Sequence, residues 1–482
     1  MEKQSLRNKV ISSVIWKGFE RICAQAVSAI VSIVLARILD PVEYSTVGIV
    51  AIFFAFCNIF ISSGLNQSLI QKKDADNSDY STILIVNLSF AILLYCVMYI
   101  LAPFIASLYN KSILTPMIRV MALTFFVNAY KAVLCAKISS DLDFKLFFWA
   151  TFVGTCISAV VGILMALKGF GAWALVAQQM TNSIVDTIML QLTTHYRFGL
   201  QFSFSRLKKL FGYGSQITLA SVISTIYNEC NPLIVGLKFS TVDLAFYNKG
   251  MLFPGLINSI GKNTLAPTLF PAMSKIQDDP IALRNATRRF MKISSFLIFP
   301  LMGGLMAVST TFVKVILTEK WLPIVPFMTV FCFSYGFDLL QTGNLQMIQA
   351  IGKSDYILRM EIIKKASYFI VIALFVWKAN SSFELALSAI VCTIIATLVN
   401  TLPTKKIIGY GLLQQLKDIA LNFFCSVFLY VVVSVAGNIP IPDAILLILQ
   451  IIIGVSCYIL TCLLLRNESF FYLKKVIETH FK

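Results

Sequence analysis

A chain of 482 residues with 58% hydrophobic and only 13% charged residues has about half the charge of an ordinary soluble domain, so a soluble globular protein is excluded. Its net charge of +17 would suggest nucleic acid in a soluble protein; in a membrane protein cations set topology instead, and no nucleic-acid partner is expected. The eleven cysteines lie in apolar runs without CxxC or zinc spacing, His195 and His480 form no cluster, and no GxxxxGK[ST] loop occurs, so neither metal, cofactor nor local nucleotide chemistry is expected.

The apolar mass predicts about 14 transmembrane helices, each long enough for a bilayer of roughly 30 Å. They are placed at 10–36, 44–66, 81–102, 113–136, 145–167, 172–194, 210–236, 250–272, 290–312, 324–350, 356–377, 382–402, 416–436 and 441–465. The fold class is an all-α polytopic membrane protein. The first helix carries Lys17, Glu20 and Arg21, continued at helical spacing by Gln25, Ser28 and Ser32. Each ionised residue near the bilayer centre costs about 2.5–3.5 kcal/mol, while each Leu, Ile or Val returns about 0.3–0.6 kcal/mol. That stripe must therefore face protein or a wet cavity. Glu20 is placed either to neutralise Lys17 or Arg21 or to leave them for an anion. No cleavable signal is expected, because charge interrupts the first apolar run and no small-residue cleavage site follows; helix one is the insertion signal.

Further along, polar stripes recur. Helix six has Gln178, Asn182 and Asp186; helix seven has Ser221, Ser224, Asn228 and Asn231, with Glu229 beside them and Pro232 in the ladder. Helix eight has Asn258 and Lys262, helix ten Asp338 and Gln341, and helix eleven Glu361 with Lys365. Asn, Gln and Ser often serve as glue between membrane helices, and Glu361 with Lys365 is the spacing of a local ion pair. Lys262 has no acid nearby in sequence, which points to a ligand or a distant partner. Arg21 and Lys262 are the candidate anion contacts. Glu20, Asp186, Glu229 and Asp338 are the buried acids able to exchange H⁺ or Na⁺.

Cation clusters at Lys72 and Lys73, at Arg206, Lys208 and Lys209, and from Arg284 to Lys292 fall on one side, with Lys405, Lys406 and the tail Arg466, Lys474 and Lys475. By the positive-inside rule both termini are cytoplasmic, and the clusters meet anionic lipid headgroups. The segment HYRFGLQFSFSRLKKLFGYGS reads as an interfacial hinge between halves. A weak repeat at an offset of about 200 residues pairs VLARILDPVEY with IVGLKFSTVDL, so the halves are parallel copies. The expected organisation is 1–200 as one six-helix bundle, 201–410 as a second related by a pseudo-two-fold axis, and 411–482 as two extra helices and a tail.

VLARILDPVEY, SGLNQSLIQKKD, LFPGLINSIGKNTLAPTLFPAMSKIQDD and LQMIQAIGKSDYILRMEIIKK resemble the polysaccharide transporters of the multidrug/oligosaccharidyl-lipid/polysaccharide exporter superfamily, within it the O-antigen and exopolysaccharide flippases. The resemblance spans helices one to twelve. It implies two bundles facing a central cavity, alternating access, and transfer of an undecaprenyl-pyrophosphate-linked oligosaccharide from the inner to the outer leaflet of the bacterial cytoplasmic membrane. It also implies membrane lipids and the polysaccharide polymerase and chain-length proteins as partners, and no enzymatic step. Lys17, Arg21 and Lys262 then suit the pyrophosphate, and Gln25, Asn182, Asn228, Asn258 and Gln341 the sugars. Where many relatives have Arg and Asp on helix seven, this chain has Asn228 and Asn231, with its acid displaced to Glu229. The rivals are a multidrug or cation exporter, whose cavity is expected to be acidic and apolar, and a membrane glycosyltransferase using Asp40 and Glu43, for which the outer connections are short.

Overall fold

A computed structural model of the chain describes residues 25–480 apart from 63, 73–74, 142–143, 195, 197 and 200. Among them every regular element is helical. The helices are α1 (Gln25–Ile38), α2 (Pro41–Ser62), α3 (Gly64–Gln71), α4 (Asn77–Leu108), α5 (Leu114–Ala122), α6 (Thr124–Asp141), α7 (Phe144–Leu167) and α8 (Ala172–Thr194). They continue as α9 (Phe204–Lys238), α10 (Thr241–Ser274), α11 (Pro280–Phe312), α12 (Val325–Ala350), α13 (Ser354–Lys378), α14 (Ser382–Ile408), α15 (Leu412–Ala436), α16 (Asp443–Leu464) and α17 (Glu468–His480).

Local chemistry sets many of the ends. Asp79 and Asp76 form a capping box that starts α4, and the Asp279 carboxylate accepts from the N–H groups of Ile281 and Ala282 ahead of Pro280 at the start of α11. Both devices satisfy donors that a helix start leaves open. Gly409, at φ +66°, ends α14 in the left-handed region that a side chain would strain.

Among the described residues nine helices are long and apolar enough to cross a membrane, and the chain is a multi-pass membrane protein. The longer helices that miss this criterion are α8, α9, α10 and α13, which carry polar stripes. Bands of exposed apolar side chains, such as Ile92, Ile100 and Phe104 on α4 and Ile448, Ile452 and Val455 on α16, suit a lipid face.

The chain forms two compact units, one up to Ala245 and one from Phe246. In the first, α7 and α8 form a hairpin, and α9 packs on α2, α3 and α4. Leu65, Leu69, Tyr80, Ile83, Val133 and Leu210 make a core there. Helices α3 and α9 cross with almost no gap: a Cβ on Gly64 would strike the Gly214 carbonyl, and one on Gly214 would lie 2.9 Å from Leu65. In the second unit α11 is central, packed by α12, α15 and α16, with Val308, Leu429, Val433 and Tyr458 in its core. Inside a bilayer such contacts stabilise by dispersion and close fit, because lipid is as apolar as the side chains.

Two sequence expectations gain detail and one changes. The segment expected as a hinge becomes helix from Phe204 onward, the first turns of the 35-residue α9. The tail after Arg466 folds as a separate helix, α17. Glu361 pairs with Lys364 at 2.5 Å rather than with Lys365; positions three and four residues along share a helix face, and neighbouring packing chooses between them.

Candidate functional site

In the first unit α6 and α8 each present a polar face. The Lys131 Nζ of α6 lies 2.7 Å from the Asp186 carboxylate of α8. One turn earlier, Asn128 donates to the Asn58 Oδ1 of α2 at 3.0 Å and accepts from the Ser183 hydroxyl at 2.5 Å, so three helices are bound together. Tyr130 donates to Gln191 at 2.7 Å. Asp186 is sealed: its side chain is 7% exposed, and its Oδ1 has no hydrogen-bond partner among the described residues. Gly154 of α7 makes the space, since a Cβ there would collide with that carboxylate oxygen. Asn182 reaches the Ser158 hydroxyl only at 3.5 Å, the long limit of a hydrogen bond.

In the second unit Lys262 of α10 finds its distant partner, the Asp338 carboxylate of α12, at 2.5 Å. Asn258, one turn before Lys262, donates to the same Asp338 oxygen at 2.7 Å. This pair is open, with Lys262 40% and Asp338 32% exposed. Gln341 instead joins a buried amide ladder: it donates to Thr397 at 3.3 Å and accepts from Asn400 at 3.0 Å. Asn344 and Gln415 exchange reciprocal bonds at 3.1 Å. The ladder binds α12, α14 and α15 as interhelical glue.

On α9, Asn228 is exposed and Glu229 half-buried. Neither has a hydrogen bond or ion pair among the described residues. Gln25 of α1 is half-buried and is not free of partners. Lys17, Glu20 and Arg21 lie outside the described residues. Asp40 and Glu43 are engaged locally, the Glu43 carboxylate accepting from the Asp40 N–H at 2.7 Å. Sequence reasoning missed Lys131, Asn128 and Asn58; the signal was Asn128 and Lys131 three residues apart in the apolar run TFFVNAYKAVLCA.

At the start of the α4 span, Asp79 is wholly buried and receives Lys72 and Arg206, the latter at 3.2 Å, while Arg206 also pairs with Asp76. The Arg206 hydrogen bond, helped by the Asp79 N–H, holds the Asp76 carboxyl down at about 2. In the second unit Arg288 clasps Asp418 through two bonds of 2.6 and 2.7 Å. Among the described residues no three His, Cys, Asp or Glu side chains gather as a metal site requires.

With this geometry in hand, comparisons with known proteins converge. The model of a family described as polysaccharide biosynthesis protein matches residues 34–326. An uncharacterized membrane protein of the cps region of Klebsiella pneumoniae is 25% identical over 475 residues, 96% of each chain. The lipopolysaccharide biosynthesis protein WzxC of Escherichia coli (strain K12) is 26% identical over 341 residues, 68% of this chain and 67% of that one. Among solved structures, the lipid II flippase MurJ in an inward closed conformation superposes with a TM-score of 0.76 at 14% identity, covering 97% of this chain and 100% of that one. At that identity the likeness concerns the fold.

Proposed function

We propose that this chain, which belongs to the polysaccharide biosynthesis protein family, is a flippase. It carries an undecaprenyl-pyrophosphate-linked oligosaccharide from the inner to the outer leaflet of the bacterial cytoplasmic membrane for surface polysaccharide synthesis. The six-helix halves 1–200 and 201–410 alternate in access, 411–482 stands apart from the repeat, and both termini are cytoplasmic. No catalytic step is involved.

The observation that carries this reading is the open Lys262–Asp338 pair, backed by the buried Asn258, within a polar-striped helix pair. A lysine kept in place by one carboxylate, yet 40% exposed, can exchange that carboxylate for a phosphate oxygen at little net cost, because the released acid remains accessible to water and to a coupling H⁺ or Na⁺. Cations on the wall also disfavour a cation exporter. Asp338 and Glu229 are the accessible coupling acids; Asp186 is occupied by Lys131. Lys17, Glu20 and Arg21 keep the role read from the sequence, and the exposed Asn228 and partly bonded Asn182 suit sugar hydroxyls. Gln341 holds Asn258's helix partner α12 in register.

The test is complementation of a deletion strain. Lys262→Ala is expected to lower surface polysaccharide at least about tenfold, the loss of one charge-assisted contact, with lipid-linked oligosaccharide accumulating on the cytoplasmic side by mass spectrometry. Full export by Lys262→Ala, at normal protein level in the membrane, would remove the residue from transport.

A further inference from the structure

A second cationic site lies away from these stripes, in the second unit, where α11 meets α17. The α11 span with its following turn covers 38 residues, about 57 Å at 1.5 Å per residue. A hydrocarbon layer of roughly 30 Å cannot contain it, and the charged segment Arg284 to Lys292 stands at the interface. After α16 the chain turns at Arg466 and Asn467, and α17 begins at once. Phe470 anchors α17 at 6.4 Å from the Phe296 ring, while Phe471, Tyr472, Lys474 and Lys475 are exposed. Exposed aromatics beside lysines on a short helix next to a span are the composition of an interfacial helix.

Between α11 and α17 is a cleft of about 320 Å³ lined by Asn285, Arg288, Arg289, Lys292, Glu468 and Tyr472 among others. Its charges are mostly spoken for. Arg288 is held by Asp418; Lys292 lies 2.5 Å from Glu468 and 3.6 Å from Asp418. Arg289 differs. Its guanidinium stacks 4.8 Å from the centre of the Tyr472 ring, and it has no hydrogen bond or ion pair among the described residues. Three cations against two carboxylates leave one positive charge, carried by a planar group that Tyr472 orients without consuming its donors.

We propose that this cleft binds the phosphodiester headgroup of an anionic membrane phospholipid, with Arg289 as the phosphate contact and Tyr472 as its support. A phosphodiester carries a single negative charge, which completes the balance, and guanidinium forms paired hydrogen bonds with phosphate oxygens. The site lies in the cation-rich first turns of α11, from Arg284 to Lys292, a charge that suits anionic headgroups. It takes its ligand from the lipid surface that α17 borders, separate from the Lys262 cluster.

The full-length protein in neutral detergent, titrated with phosphatidylglycerol or with phosphatidylcholine of the same acyl chains, tests this by native mass spectrometry. Phosphatidylglycerol should be retained in preference to phosphatidylcholine, and Arg289→Ala should weaken its retention about tenfold, as loss of a charge-assisted bond does. Tyr472→Leu should weaken it less, and Lys474→Ala, outside the cleft, should leave it unchanged. Should Arg289→Ala aggregate, Arg289→Gln, which keeps the stem against Tyr472, takes its place. Equal retention of the two lipids, unaltered binding in the Arg289 variant, or an equal loss in Lys474→Ala would overturn the assignment. So would displacement of phosphatidylglycerol by millimolar inorganic phosphate, which would make this a site for free anions.

Discussion

Each unit of this protein places a lysine against an aspartate within its helices, and the two pairs differ in access. Lys131 and Asp186 meet at 2.7 Å with 29% and 7% exposed; Lys262 and Asp338 meet at 2.5 Å with 40% and 32% exposed, so the difference lies in the carboxylates. The chemistry is the same and the desolvation is not. A sealed carboxylate depends on its lysine, because no water can replace it. An open one does not, so its lysine is available to a passing anion. Access to water thus separates a clamp from a contact point without any change of residue type.

The largest expected effect strips the sealed carboxylate of its partner. Lys131→Met should destabilise the protein by about 3–5 kcal/mol, the cost of a buried charge without its partner, measured as a fall in thermal unfolding temperature in detergent. Lys131→Met combined with Asp186→Leu should recover most of it. Lys262→Met should cost no more than about 1 kcal/mol, as exposed pairs do. Equal losses in the two units would erase the distinction.

Next in size is Gly154→Ala, whose Cβ meets the Asp186 carboxylate and backbone; overpacking there should cost about 1–3 kcal/mol. Gly255→Ala in the second unit places its Cβ at 3.7 Å from Tyr335, an ordinary contact, and melting should hardly move.

The smallest effect concerns the exposed pair of Arg206 and Asp76. Because the folded Asp76 carboxyl is lowered to about 2, its contribution is complete above the unfolded value of about 3.9 and disappears as pH falls through about 2. The melting difference between the wild type and Asp76→Asn should therefore stay constant from pH 8 to pH 4 and shrink below pH 4. A difference that grew on acidification would contradict the pairing.

Much of the helical order was legible in the chain, since apolar runs must satisfy every backbone group internally. The spans placed at 81–102 and 382–402 lie inside α4 and α14, whose ends extend further because capping groups, not hydropathy, set them. Helix four divides into α5 and α6 at Leu123, within an unbroken apolar run. Stripes along one helix, such as Asn258 and Lys262, were readable from their spacing. Partnerships across helices were not: that Lys262 takes Asp338, or that Gln341 turns into a ladder with Asn400, depends on rotation and depth, which one helix's sequence does not encode. Lys131 escaped notice for the same reason, as its acid lies 55 residues away.

The polar stripes of α8, α9, α10 and α13 carry a consequence for biogenesis. A segment whose ionised residues offset its apolar gain does not partition into lipid on its own. Helix α8 emerges directly after the apolar α7, against which it forms its hairpin, and Lys131 of α6 is already in place when Asp186 arrives. Helix α8 thus follows helices that make the bilayer less hostile to it, whereas Lys262 of α10 precedes its acid on α12, so the order of synthesis favours the insertion of one polar helix and delays the pairing of the other.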